Sequence, residues 1–249
     1  VICLSETWIW TDSWTPPAFL QDYTAHIQPA TKDKSLGRSK GGLIAFIRSN
    51  LSSKVIDKCN WWLIIEINLR ENTPVVLIFV YFNPSYDLLC YLKMLKKTLD
   101  DNNVLNSYRV IIAGDFNARI GNLNNFSSRW DPGIFNGTKL TAYRETLDNT
   151  TNQRGIYLCD CLESLGLIVL NGRCPSDNPA QFTYIGYNGG KSIIDLVWVN
   201  PAALDLIEDL HVLDFVCESD HMPVIIQLPS STRRCYSTTR KNASYNSPH

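Results

Sequence analysis

The chain of 249 residues predicts an α/β domain in which packed β-sheets are covered by helices. Three observations carry this. Short runs of Val, Ile, Leu and aromatic residues recur along most of the chain, bounded by Gly, Pro, Asn or Asp. Only two segments show a helical period instead. The composition is 45% hydrophobic, enough to bury a substantial core at this length.

The elements follow in order. "VICLS", "GGLIAFIR", "WWLIIEINL" and "PVVLIFVYF" read as strands, and several carry apolar residues at consecutive positions, which suits sheets covered on both faces. "SYDLLCYLKMLKKTLDD" then changes period: Leu88, Leu92, Leu95 and Leu99 share one helical face, with Lys93, Lys96 and Lys97 on others. "YRVIIAG" returns to strand. "NQRGIYLCDCLESLGL" is the second helix, through Leu158, Leu162 and Leu165, stopping near Gly166. "LIVLN", "FTYI", "IIDLVWV", "LHVLDFV" and "MPVIIQL" complete the strands. Residues 1–229 read as one domain. Residues 230–249 are polar, Ser/Thr-rich and aperiodic, as expected of a tail or linker. The chain opens directly on an apolar strand, so it is expected to be cut from something longer.

Charge and cysteines narrow the function classes. A formal charge of -1 excludes a globally basic nucleic-acid binder, so any such contact must use a local patch. The 8 cysteines form no CxxC pair and no Cys/His cluster at zinc spacing. They read as reduced thiols in an intracellular protein, nuclear or cytoplasmic. The longest apolar runs are strand length and far short of a membrane span.

Acids and amides at the ends of apolar strands are the recurring oddity. Glu6 ends the first strand, Asp115 and Asn117 follow "VIIAG", Asp195 interrupts "SIIDLVWV", and Asp220 with His221 precedes "MPVIIQL". A carboxylate among apolar neighbours requires a partner, so Asp195 needs one. Hard oxygen ligands such as Glu6, Asp115, Asn117 and Asp220 suit Mg²⁺ or Mn²⁺ better than zinc. A divalent cation with a His-Asp pair is a workable set for phosphodiester hydrolysis: cation and imidazolium meet developing phosphoryl charge, and a carboxylate orients or deprotonates the water.

The ordered set "LSET", "GGLIAFIR", "VYFNPS", "AGDFNA", "FTY", "SIIDLVWV" and "SDHMPV" resembles the endonuclease/exonuclease/phosphatase superfamily of Mg²⁺-dependent phosphoesterases, over roughly residues 1–229. Within it, "NQRGIYLCDCLESLGLIVLNGR" followed by "FTY" and "IIDLVWV" is most similar to the apurinic-type endonuclease domain of non-LTR, LINE-like retrotransposons. The resemblance implies a four-layered sandwich of two mixed β-sheets flanked by helices. It implies a Mg²⁺-dependent DNA endonuclease, with Mn²⁺ as an alternative ion, that nicks target DNA to leave a 3′-hydroxyl. It implies DNA as partner and a reverse transcriptase domain in the same longer chain. Carried over, Glu6 and Asp220 serve the metal site, Asp115 orients or activates water, and Asn117 holds the scissile phosphate. His221, oriented by Asp195, contacts the phosphate; Tyr81 and Thr183 contact it too, and Asn83 matches a neighbouring amide position. The family carries one further strand, with an Asn, ahead of the strand ending at Glu6, and the match here begins after it.

DNA contact is expected from Arg119, two residues beyond Asn117, and from the basic stretch with Lys32, Lys34, Arg38 and Lys40. Trp8, Trp10 and Trp14 are expected mainly in the core. Two other functions stay open at this point: a phosphoesterase for RNA or a phosphorylated small molecule, and a catalytically silent nucleic-acid-binding module.

Overall fold

A computed structural model describes residues 1–11, 14–31, 39–69, 73–125, 131–214 and 219–229. The expected tail, Lys32, Lys34 and Arg38 lie outside the described residues. The fold is the predicted α/β sandwich. Its main layer is a six-stranded mixed sheet made of β4 (Ser52–Cys59), β5 (Trp62–Leu69), β6 (Thr73–Tyr81), β7 (Arg109–Asp115), β11 (Asp195–Val199) and β8 (Ile168–Val169), in that spatial order. β6 and β7 run parallel, and β11 is antiparallel to β7.

Consecutive apolar residues in these strands divide between two faces, as strand geometry requires. Trp62, Ile64, Val76, Ile78, Val80, Val110 and Ile112 pack beneath helices α1 (Leu88–Asp101) and α3 (Gln153–Ser164). A short helix, α2 (Val104–Ser107), follows α1 and buries Val104 in the same core. Leu63, Ile65, Ile67 and Phe79 face the other way, against β3 (Leu43–Arg48). α1 buries the predicted face, Leu88, Leu92, Leu95 and Leu99, and Asp87 caps its start by accepting from the Leu89 N–H at 3.0 Å.

The second sheet layer is present as two antiparallel pieces. One is β1 (Ile2–Ser5), β3 and β2 (Tyr23–Gln28); the other is β12 (Asp209–Val212) with β13 (Val224–Gln227). β1 and β13 border a cavity of about 530 Å³ whose apolar floor includes Leu77, Ile111 and Val197 and whose end reaches Asp115 and Asp195. A small hairpin, β9 (Tyr184–Ile185) and β10 (Lys191–Ser192), stands beside it. Two longer strands escape the sequence reading, β2 and β4. Both lie at sheet edges, where alternating polar residues replace the unbroken apolar runs of buried strands.

One glycine sets the fit of the central strands. Gly114 has φ 144°, and a Cβ there would stand 2.0 Å from the Val80 carbonyl oxygen on β6. Gly114→Ala is therefore expected to destabilise the chain by about 1–3 kcal/mol or more, measured as a lowered urea midpoint. An unchanged midpoint would show that β6 and β7 tolerate separation here.

Candidate active site

The sheet register builds the site. Tyr81 on β6 pairs with Asp115 on β7, and Asp115 pairs with Asp195 on β11. Directly opposed residues on adjacent strands project to the same face, so a phenol and two carboxylates stand in one row at the strand ends. Asp115 is only 5% exposed. Burial first, and then the Asp195 charge, raise its pKa well above the usual carboxylate range, while His221 and Asn117 pull it back.

Asn117 answers that strain directly. Its backbone N–H donates to Asp115 Oδ1 at 2.8 Å, and its side-chain Nδ2 donates to Oδ2 at 2.7 Å. Both contacts require the chain to double back within two residues, and Asn117 does so at φ 47°, a left-handed conformation that Asn tolerates better than most residues. The proximity of Asp115 and Asn117 along the chain is thus a local clasp on a buried carboxylate.

Asp195 finds the partner its setting demands. His221 Nδ1 lies 2.9 Å from Asp195 Oδ2 and 3.1 Å from Oδ1. Burial opposes the imidazolium, but the Asp195 hydrogen bond and the charges of Asp195, Asp115 and Asp220 outweigh it and raise the His221 pKa to about 9. At neutral pH the ring is charged. Because Nδ1 is held by Asp195, Nε2 is the donor left for a substrate oxygen.

Thr183 ties this pair together. It is fully buried, and its Oγ1 accepts from the N–H groups of Ile194 and Asp195 at 3.1 and 3.0 Å. Its carbonyl accepts from Met222 N at 2.7 Å, so one residue fixes both the Asp195 strand and the segment carrying His221. The hydroxyl implied as a phosphate contact thus has a positioning role through these bonds. Asp220 adjoins the Tyr184 hydroxyl, which burial and this carboxylate hold above its usual pKa, and the Tyr184 ring meets His221 edge-on at 5.1 Å.

Glu6 enters from β1 at the rim of the row. It is exposed, has φ 52°, and accepts a short hydrogen bond from the Tyr81 hydroxyl. Burial and Glu6 both raise the Tyr81 pKa, so the phenol stays protonated and donates. Among the described residues, no three His, Cys, Asp or Glu side chains converge as a metal cluster. Glu6, with the Asp115 charge close enough to be felt, still offers hard carboxylate oxygens without thiols. That donor set fits one Mg²⁺, which takes one or two carboxylates and keeps several waters.

Other expected contacts resolve differently. Arg119 is engaged as a fork by Asp148, Nε to Oδ2 at 2.9 Å and Nη2 to Oδ1 at 2.5 Å, so its guanidinium is paired with a buried acid. Asp148 also accepts from Ile193 N at 3.0 Å, linking the Asn117 loop to the start of the Asp195 strand. Asn83 uses Oδ1 to accept from Ser85 N at 2.8 Å and lines a small cavity beside Tyr81 with Asn60, Trp61 and Tyr86. Lys40 pairs through its backbone with Thr31. Trp8 and Trp10 are surface residues, 42% and 61% exposed, because the segment after β1 leaves the sheet; Trp14 tilts onto Phe46 at 6.1 Å.

The model of the endonuclease-reverse transcriptase family matches residues 75–225. The chain belongs to this family. The match spans Tyr81, Asp115, Asn117, Thr183, Asp195, Asp220 and His221, while Glu6 precedes it. The fold is similar to the endonuclease domain of TRAS1, a telomere-specific non-LTR retrotransposon, with a TM-score of 0.57 and 19% identity over 82% of this chain and 78% of that one. It is similar to a 3′-5′ exonuclease of Neisseria meningitidis, with a TM-score of 0.58 and 18% identity over 91% and 88% of the two chains. It also resembles an AP endonuclease from Archaeoglobus fulgidus, with a TM-score of 0.56 and 13% identity over 92% and 88%. No curated protein matches the chain.

The Thr183 arrangement is testable. Thr183→Val leaves two buried N–H groups without their acceptor and is expected to lower stability by roughly 1–3 kcal/mol in urea titration. Thr183→Ser keeps the oxygen and is expected to recover most of that loss; equal losses in both variants would contradict the hydroxyl's role.

Proposed function

We propose that this chain is a Mg²⁺-dependent DNA endonuclease that hydrolyses a phosphodiester to a 3′-hydroxyl and a 5′-phosphate. The observation that carries the reading is the His221–Asp195 ion pair set beside the buried Asp115 in one sheet row. This places an imidazolium and a carboxylate of raised basicity at one surface, the pairing that in-line attack of water on phosphorus requires.

Asp115 orients the attacking water and accepts its proton, and Asn117 holds Asp115 for that task. His221 Nε2 donates to a non-bridging oxygen as charge builds, with Asp195 keeping the ring charged. The new P–O bond forms from water as the P–O3′ bond breaks, and the departing 3′ oxygen takes up a proton to become the hydroxyl. Tyr81 donates at the Glu6 edge. Glu6 would hold the Mg²⁺, which would supply neutralisation of phosphoryl oxygens when bound. The family joins an endonuclease to a reverse transcriptase, which supports a target-nicking role beside a reverse transcriptase domain in a longer chain.

The silent nucleic-acid-binding module is the alternative that the same experiment tests. Conversion of supercoiled plasmid to open circle in Mg²⁺ separates the two. Nicking is expected, abolished by EDTA and reduced at least about 100-fold in Asp115→Asn and in His221→Gln. Folded wild-type chain that binds DNA without nicking it would establish the second reading.

The pH dependence follows from His221. Its imidazolium is the working form, so kcat is expected to fall as pH rises through about 9. A pH–rate profile whose descending limb is unchanged in His221→Gln would remove His221 from the reaction.

A further inference from the structure

Arg154 is not among the residues that the sequence singles out. It is the second residue of α3, and its guanidinium leaves the helix to meet main-chain carbonyls on two separate loops. Nε donates to the Asn117 carbonyl at 3.0 Å, Nη1 to the Tyr86 carbonyl at 2.9 Å, and Nη2 to the Phe82 carbonyl at 3.5 Å. Phe82 directly follows Tyr81, and Asn117 is the residue that clasps Asp115. One planar fork therefore spans the two loops that supply the site's central groups.

The helix start is itself anchored to the same loop. Asn152 caps α3 by accepting from Gly155 N at 2.8 Å and also accepts from Arg119 N at 3.3 Å. Asn152 N donates to the Arg119 carbonyl at 3.1 Å. Gly155 permits this contact: a Cβ there would stand 1.9 Å from the Arg119 carbonyl oxygen. Arg154 thus projects from a fixed base, and its reach to Asn117 is set by the helix and not by a loop.

We propose that Arg154 is a positioning residue for phosphodiester hydrolysis, locking the Asn117 carbonyl to the Tyr81 loop so that Asn117 keeps the left-handed conformation from which both its N–H groups reach Asp115. This inference rests on the nuclease reading for its catalytic consequence, while its structural half stands on the hydrogen bonds alone. A lysine cannot reproduce it. An ammonium is a point donor and does not present the rigid fork needed for carbonyls on two loops.

The test compares Arg154→Lys and Arg154→Gln with wild type by hydrogen exchange and by steady-state nicking of plasmid. Faster exchange is expected together in residues 82–87 and 115–119, with protection of β5 retained. kcat is expected to fall about 10–100-fold, as for other residues that orient catalytic groups, with KM changed by no more than about threefold. Unaltered exchange in the two segments overturns the inference, and so does loss of protection throughout the sheet, which would make Arg154 a general fold staple. Wild-type chain without nicking counts against the nuclease reading instead; exchange in the two loops then decides whether Arg154 holds them.

Discussion

The alignment of β6, β7 and β11 is the constraint on which the site depends. Their register puts Tyr81, Asp115 and Asp195 in one row, and two of the three carry negative charge into a poorly solvated strand end. Carboxylates so placed repel each other and lack water, so the surrounding structure must supply donors or positive charge. It does so twice. Asn117 gives two hydrogen bonds to Asp115, and His221 gives Asp195 a charged partner. The groups proposed to meet the substrate are therefore also the groups that make the row tolerable.

Around this row the fold supplies backbone-level fixation. Gly114 lets β7 approach β6 closely one residue before Asp115. Thr183 joins the Asp195 strand to the His221 segment, and the Arg119–Asp148 pair joins the Asn117 loop to Ile193 at the head of the same strand. Each contact bridges elements rather than stabilising one of them. A site assembled at strand ends inherits its precision from such bridges, since loops alone do not hold side chains to the tolerance that catalysis demands.

Much of this was legible in the sequence. Buried strands announced themselves because both faces of the six-stranded sheet are covered, giving unbroken apolar runs, and α1 and α3 showed their periods in leucines. Edge strands β2 and β4 did not, since a half-solvated edge reads as polar. Glu6, Asp115, Asn117, Asp195 and His221 stood out as charged or amide residues at the ends of apolar runs, and the family resemblance supplied His221 as the partner that Asp195 demands. What stayed hidden were roles set by contacts remote in sequence. Arg119 is claimed by Asp148, Thr183 turns inward to backbone N–H groups, and Arg154 reaches carbonyls on two other loops. Nothing local to those residues foretells these contacts.

The central claim is that Asp195 keeps His221 charged at the end of the sheet row. Its most direct test is an NMR titration of the His221 ring nitrogens in wild type and in Asp195→Asn. The account predicts a wild-type midpoint near the value of about 9, falling toward the ordinary histidine range once the carboxylate is removed. A wild-type midpoint close to 6.5, unmoved by Asp195→Asn, would contradict it.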